Sequence, residues 1–141
     1  MVTRQDEIVD ALASFALFSD LSTPQLREVA ETFDEAVFQE GQRVLRQGLS
    51  GSNFFVILDG EAAVEVDGVR RSTLSRGDFF GEIAILLGEV PTADVIATTQ
   101  LRCLVLAPDQ VPGFLTRYPR VMYRMMQAQA RRLRNANRWR S

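Results

Sequence analysis

The sequence predicts a mainly β fold, an antiparallel β-barrel or jelly roll (a double-stranded β-helix) with N-terminal helices and two C-terminal helices. Apolar residues recur at helical spacing near both ends of the chain, which is typical of amphipathic helices. Between those segments they form short runs separated by glycine, which is typical of antiparallel strands and turns. We therefore interpret residues 1–141 as one domain, made of N-terminal helices (1–35), a β-barrel (36–108) and C-terminal lid or dimer helices (109–141).

Two segments near the N-terminus have helical patterns. Ile8, Leu12 and Phe15 are spaced as on one helix face between Arg4 and Phe18. In the segment 22–25, Ser22 fits an N-cap, a proline occupies the first turn and a glutamine completes a capping box. The apolar stripe of this second helix comprises Leu26, Val29, Ala30 and Phe33.

The middle of the chain predicts seven strands. They are Ala36–Phe38, Arg43–Arg46, Phe54–Asp59, Glu61–Val66, Val69–Leu74, Ala93–Thr98 and Arg102–Ala107. The Asp67-Gly68 pair is the clearest hairpin turn, and Gly60 marks another tight turn. Seven or eight strands around one core form a small barrel whose interior can hold one compact ligand.

The C-terminal segment predicts two helices. Asp109 can cap a short helix over Gln110–Arg117, and Pro119 then restarts a helix that runs to about Asn137. A heptad-like seam on this last helix comprises Met122, Met126, Gln129, Leu133 and Ala136, with Val121 and Met125 beside it. The seam can pack on its own barrel or on the same helix of a second subunit, and we expect a homodimer formed through this helix.

The composition excludes several classes of function. A single cysteine, Cys103, and the lack of histidine exclude an internal disulfide, the usual zinc sites, a Ser-His-Asp triad and a haem with a proximal histidine. We predict a binding module rather than an enzyme, without catalytic residues, metal or cofactor, and a buried structural thiol at Cys103. Because no apolar run is long enough for a membrane span and no signal peptide is visible, we expect a cytoplasmic protein.

Charge is unevenly distributed along the chain. All sixteen basic residues are arginines; eight of them precede residue 110 together with all eighteen acids, a formal charge of −10 there, and eight lie in residues 110–141 without any acid. The basic tail includes Arg131, Arg132, Arg134, Arg138, Trp139 and Arg140. It can bind nucleic acid or an anionic membrane surface, or it is a solvated helix face that docks on the acidic body of its own or a neighbouring subunit; we favour the second interpretation.

The most informative stretch begins at Gly77-Asp78, which predicts a turn, and continues to Gly81, which predicts a close approach of backbone. Glu82–Leu87 has the composition of a short helix inside a strand-rich region. The first amides of such a helix lack intrahelical partners and favour an anion. A carboxylate at Glu82 beside an anion site indicates a ligand that also carries hydroxyl donors, as a sugar does.

Residues Phe79–Leu86, followed by Pro91–Val95, resemble the phosphate-binding cassette of the cyclic nucleotide-binding domain family. This is the domain of the catabolite activator protein and of the regulatory subunit of cyclic-AMP-dependent kinase. The resemblance extends to other parts of the chain: Leu17–Ser22, Gly41, Gly48 and Phe54–Glu61. It implies the same jelly-roll fold, with a cassette-like turn at residues 79–93.

The resemblance implies a binding site for cyclic AMP or cyclic GMP. Its residues are Phe80, Gly81, Glu82, Ile83, Ala84, Thr92 and Ala93. By the resemblance, Glu82 accepts the ribose 2′-hydroxyl, the amides of Gly81, Ile83 and Ala84 face the phosphate, and the Thr92 hydroxyl and Ala93 amide donate to it.

The family's cassette usually carries a Pro-Arg pair, and the arginine grips the cyclic phosphate. Here Val90 aligns with the proline and Pro91 with the arginine, while a shift of one residue places Thr92 at the arginine. Neither alignment supplies a cation, so we expect the cassette arginine to be missing. Other arginines could compensate: Arg46, Arg76 and the tail arginines near Arg131.

Two functions follow from the resemblance. The first is a non-catalytic cyclic-nucleotide sensor, in which Leu86 and Leu87 shift on binding and Phe114 swings toward the barrel with the following helix. The alternative is a degenerate, ligand-independent domain that serves homodimerisation or protein interaction. We do not favour nucleic-acid binding, because a transcription factor of this family would continue into a helix-turn-helix domain and this sequence stops at Ser141.

Overall fold

The computed structural model describes the backbone of residues 1–138 and the side chains of residues 1–137. In chain order the elements are α1 (Arg4–Ala13), a 3₁₀ turn (Ala16–Phe18), α2 (Thr23–Thr32), β1 (Asp34–Phe38), β2 (Arg43–Leu45), β3 (Phe54–Asp59), β4 (Ala62–Val66), β5 (Val69–Leu74), β6 (Phe79–Phe80), α3 (Glu82–Leu87), β7 (Asp94–Ala97), β8 (Leu101–Leu106), a 3₁₀ turn (Pro108–Gln110), α4 (Val111–Arg117) and α5 (Pro119–Arg138).

The eight strands found in residues 1–138 form two four-stranded antiparallel sheets, in the orders β1-β8-β3-β6 and β2-β7-β4-β5. The prediction of an antiparallel jelly roll with flanking helices is confirmed. Seven of the eight strands match the predicted runs; β6 was not predicted, because two residues show no period. It pairs with β3 alone, where Phe80 lies opposite Phe55.

Strand β3 is buried on both faces. Phe54, Val56 and Leu58 face the helices, whereas Phe55 and Ile57 face the barrel interior. Phe79 and Phe80 continue this alternation on β6, with Phe79 edge-on to Phe54 and Phe80 stacked on Phe55 at 4.7 Å between ring centroids. The paired aromatics of the sequence therefore belong to two separate cores.

The helix caps follow from local chemistry. Ser22 and Gln25 form the predicted capping box at the start of α2. Helix α1 ends at Ala13, short of the predicted Phe18, because a 3₁₀ turn takes over the last residues of that segment. The capping role predicted for Asp109 is wrong: this residue lies inside the 3₁₀ turn before α4, and no side chain caps that helix.

The face of helix α5 that packs against the rest of the chain is not the predicted seam. Val121 and Met125 are buried in the helical core, together with Tyr118 just before the helix. Seam residues Met122 and Met126 are exposed, and so is Leu133 farther along the helix. The sequence left open whether the seam packs on its own barrel or on a second subunit. The structure shows that it does not pack on its own barrel.

The basic C-terminal helices dock on the acidic body of the same chain. Arg124 donates to both carboxylate oxygens of Asp20, at 2.8 and 2.9 Å, and Arg120 donates to the same residue at 3.3 Å. The hydrogen bond from Arg124 lowers the pKa of Asp20 to about 2. Arg117 pairs with Glu28. These three arginines precede Arg131, and the docking interpretation of the tail residues stays a prediction.

Trp139 and Arg140 of the basic tail lie outside the described residues, as does the side chain of Arg138. Along residues 1–138, none of the helices combines the length and apolarity needed to cross a membrane. The described side chains include no group of three or more potential metal ligands. Cys103 is buried, which raises the pKa of its thiol to about 12 and agrees with the predicted structural role.

Candidate ligand-binding site

A cavity of about 220 Å³ lies between the second sheet and the connection from β6 through α3 to β7. The side chains that come from the second sheet are Leu45, Val64, Ser72, Leu74 and Val95. All seven predicted site residues line this one cavity: Phe80, Gly81, Glu82, Ile83, Ala84, Thr92 and Ala93. The structure therefore brings them together, and their contact with a ligand stays a prediction.

Gly81 is the point where β6 turns into α3. Its φ is +91°, and a Cβ atom here would lie 2.3 Å from the carbonyl oxygen of Asn53, just before β3. Only glycine combines this dihedral with so close a neighbour. The close backbone approach predicted at this position is confirmed.

Helix α3 presents unpartnered amides at its start. It begins after Gly81, and no side chain of residues 1–137 caps it. The amides of Ile83 and Ala84 lie in its first turn, where the helix itself offers no acceptor. Both residues line the cavity, so this end of the helix can donate to an acceptor placed there.

Glu82 is the buried polar residue of the site, with 2% of its surface exposed. Its Oε2 atom has no hydrogen-bond partner among the described residues. Burial raises the pKa of this carboxyl to about 7, against the opposing effects of Arg132 and of its own backbone amide. The carboxyl therefore exchanges a proton near neutral pH and offers an unused acceptor to the cavity.

Arg132 of α5 also lines the cavity. Its Nη1 atom lies 3.7 Å from Oε1 of Glu82, and its Nη2 donates to the carbonyl oxygen of Phe79 at 3.1 Å. The guanidinium carbon lies 4.7 Å from the centre of the Phe79 ring, within the range of a cation–π contact. Arg132 is one of the tail arginines near Arg131 that could compensate for a missing cassette arginine.

Arg46 and Arg76, which the sequence also offered as candidates to replace the cassette arginine, lie outside the cavity. Arg76 donates to the carbonyl oxygen of Leu58 and stacks on Phe15. Arg46 lines a separate surface depression that also includes Arg43. Neither is among the residues that line the cavity.

The loop between α3 and β7 is tied down on its outer side. The carbonyl oxygen of Pro91 accepts a hydrogen bond from the amide of Gly48 at 2.8 Å, and Pro91 itself is buried. Thr92 is exposed at the cavity, so its hydroxyl is accessible to a ligand. The predicted turn at Gly48 therefore supports the loop that carries Thr92.

The cavity side chains of the second sheet were not predicted from the sequence, and neither was the position of Arg132 at the cavity. Alternation along the predicted strands could have indicated the sheet residues, because alternate positions face the barrel interior. No local signal distinguishes Arg132 from its neighbours Arg131 and Arg134, since all three are arginines on one helix.

Comparison with known proteins finds a match to the family described as "Cyclic nucleotide-binding domain" over residues 35–118. The cAMP-dependent protein kinase regulatory subunit of Schizosaccharomyces pombe is 38% identical over 104 residues, which are 73% of this chain and 24% of that protein. The cGMP-dependent protein kinase egl-4 of Caenorhabditis briggsae is 35% identical over 100 residues, 67% of this chain and 13% of the kinase.

The chain thus spans a quarter or less of the length of either relative, and the rest of each of these proteins lies outside the match. Among solved structures, the one described as "Sp-2Cl-cAMPS bound to PKAR CBD2" aligns with this chain with a TM-score of 0.80 at 21% sequence identity. The alignment covers 95% of this chain and 92% of that one, and it shows a shared fold.

Proposed function

The chain belongs to the cyclic nucleotide-binding domain family, and from this premise we propose that it is a non-catalytic regulatory module that binds cyclic AMP or cyclic GMP in the cavity. The observation that carries the proposal is the buried carboxyl of Glu82, which has an oxygen without a partner among the described residues. A buried acceptor left unused is costly in the free protein, and a ligand hydroxyl would satisfy it.

The phosphate of the nucleotide would lie at the start of α3. The amides of Gly81, Ile83 and Ala84 would donate to it from one side. The hydroxyl of Thr92 and the amide of Ala93 would donate from the loop on the other side of the cavity. Backbone donors of this kind are present whatever side chains their own residues carry.

Binding would be transmitted through α3 to the C-terminal helices. Leu86 and Leu87 are exposed on α3, whereas Phe114 of α4 packs edge-on against Phe33 at 5.1 Å between ring centroids. We propose that the ligand favours a second state in which these contacts change and the helices cover the cavity. Such a shift requires a higher affinity of the ligand for that state.

The alternative function is a ligand-independent interaction module that forms homodimers. It is favoured by one observation, the exposed seam on α5 with Met122, Met126 and Leu133. Sedimentation equilibrium and nucleotide titration together would separate the two proposals: a dimer that dissociates in Met126→Glu, in a protein that binds neither cyclic AMP nor cyclic GMP, supports the interaction module.

A prediction tests the role of Glu82 in the sensor. We expect Glu82→Ala to bind cyclic AMP about tenfold more weakly, since hydrogen bonds to charged groups contribute roughly 1.5–3 kcal/mol. Isothermal titration with cyclic AMP, cyclic GMP and 2′-deoxy cyclic AMP measures this. The parent should prefer cyclic AMP over its 2′-deoxy analogue, and Glu82→Ala should not distinguish them.

Glu89→Gln is the matched control, because it also removes an acid that lines the cavity but from an exposed position. Its affinity should stay within about threefold of the parent. Undiminished binding of cyclic AMP by Glu82→Ala would refute the ribose contact. A parent protein that binds neither nucleotide would refute the sensor itself.

A further inference from the structure

We propose that Arg132 of α5 is the residue that recognises the negatively charged group of the ligand. This assignment rests on the proposed function, because it concerns the same cavity. It places the cation for the anion on the C-terminal helix rather than on the α3–β7 loop. Three features of the cavity support it: its charges, the hydrogen bonding of Arg132 and the packing that holds this side chain.

The charges of the cavity require a cation. Its ionisable lining residues are Glu82, Glu89 and Arg132, so Arg132 is the single basic residue among the described residues that line it. Without Arg132 an anionic ligand would meet two acids and no basic side chain. Like charges within a few ångströms of each other repel strongly in a partly desolvated cavity. The two acids would therefore oppose an anion that only amides and a hydroxyl hold.

The hydrogen bonding of Arg132 leaves it available. Its distance of 3.7 Å to Glu82 is too long for a hydrogen bond, so the two form a loose ion pair. One N–H group donates to the carbonyl oxygen of Phe79. The guanidinium carries five N–H donors in a planar fork suited to paired contacts with phosphate oxygens, and among the described residues the other donors have no recorded acceptor.

The packing of Arg132 sets its orientation in advance. The guanidinium lies over the Phe79 ring, and Phe79 is itself buried against the helical core. The side chain of Arg132 is 41% exposed, so it can move by a small amount without unfolding its surroundings. A ligand phosphate would draw the guanidinium from Glu82 and leave that carboxyl to the sugar hydroxyls.

This arrangement gives a direct route from ligand to helix. The donors of α3 and the cation of α5 would contact the same phosphate, so binding would tie the C-terminal helix to the cavity. The phosphate would replace the loose ion pair of Arg132 with Glu82, while the contacts of Arg124 with Asp20 would stay in place. The C-terminal part of α5 is thus the segment whose position would depend on the ligand.

A structural latch is the competing explanation. In that case Arg132 would only fasten α5 to the cavity and partly neutralise Glu82, and it would affect charged and neutral ligands equally. Cyclic AMP and adenosine distinguish the two, because they share base and ribose but adenosine lacks the phosphate.

The test is isothermal titration of Arg132→Gln with cyclic AMP and with adenosine. We expect its affinity for cyclic AMP to fall roughly tenfold to one-hundredfold and its affinity for adenosine to stay within about threefold. Arg131→Gln and Arg134→Gln are matched controls, since each removes one charge from an exposed position of the same helix. Both should bind cyclic AMP like the parent.

Equal weakening of both ligands, or full retention of cyclic AMP binding, would overturn the assignment. If adenosine binds the parent too weakly to measure, salt dependence decides: the affinity of the parent for cyclic AMP should fall with salt, and that of Arg132→Gln should fall less. An equal salt dependence would overturn the assignment. A parent that binds no cyclic nucleotide would instead refute the proposed function, and the assignment with it.

Discussion

Gly81→Ala is expected to lower the free energy of unfolding by at least about 3 kcal/mol and to abolish ligand binding. The dihedral φ of +91° alone disfavours a side chain. In addition, the new Cβ would lie 2.3 Å from the carbonyl oxygen of Asn53, and that atom belongs to backbone that cannot rotate away. Relief of the clash requires β6 to move from β3, which shifts Glu82 and the first amides of α3.

Gly88→Ala separates the effect of the positive φ from the effect of the steric clash. Gly88 also has a positive φ, +66°, but a Cβ there has nothing within 4 Å. We expect it to cost only about 1 kcal/mol, the usual penalty of a left-handed residue with a side chain. Urea unfolding of both variants measures the difference. Equal destabilisation by the two substitutions would contradict the role of the Asn53 contact.

Glu82→Gln is expected to remove a pH dependence of stability that the parent shows around neutrality. Burial raises the pKa of Glu82 in the folded protein to about 7 from an ordinary value of 4.5. A carboxyl with a raised folded-state pKa stabilises the fold below its unfolded pKa, and this stabilisation is lost as pH rises through the folded pKa. The parent should therefore be roughly 2 kcal/mol less stable at about pH 8.5 than at about pH 5.5, relative to Glu82→Gln.

The sequence makes this measurement easy to interpret. The chain has no histidine, and the pKa of its one thiol is raised to about 12, so few other groups titrate in this window. Urea unfolding at several pH values gives the free energies, and Glu89→Gln, which keeps the buried acid, should follow the parent. A difference between the parent and Glu82→Gln that does not change with pH would show that Glu82 keeps an ordinary pKa.

Several features of the fold were predictable because they depend on neighbouring residues. The capping box of Ser22 and Gln25 and the Asp67-Gly68 turn, with φ of +52° and +79°, arise from short-range hydrogen bonds and sterics. The start of α3 at Gly81-Glu82 is of the same kind. Such elements are encoded locally, whereas the residues of the candidate site were named from the resemblance to the family.

Other features depended on contacts between distant segments. Strand β6 is too short to show a period, and it exists because β3 offers it an edge. The seam of α5 is apolar by sequence, yet Met126 faces away from the body because Val121 and Met125 fill the contact instead. A helical pattern predicts which residues share a face, but the neighbouring elements decide which face is buried.

The sequence by itself determined the fold class through the spacing of its apolar residues and glycines, and the resemblance carried by Phe79–Leu86 and Pro91–Val95 named the residues predicted for the site. Only the tertiary structure decided that the unpartnered carboxyl of Glu82 shares its cavity with Arg132. The physical reason is that electrostatic interactions and burial depend on distances in the folded chain. The sequence around an arginine on a distant helix does not show which carboxyl it will lie beside.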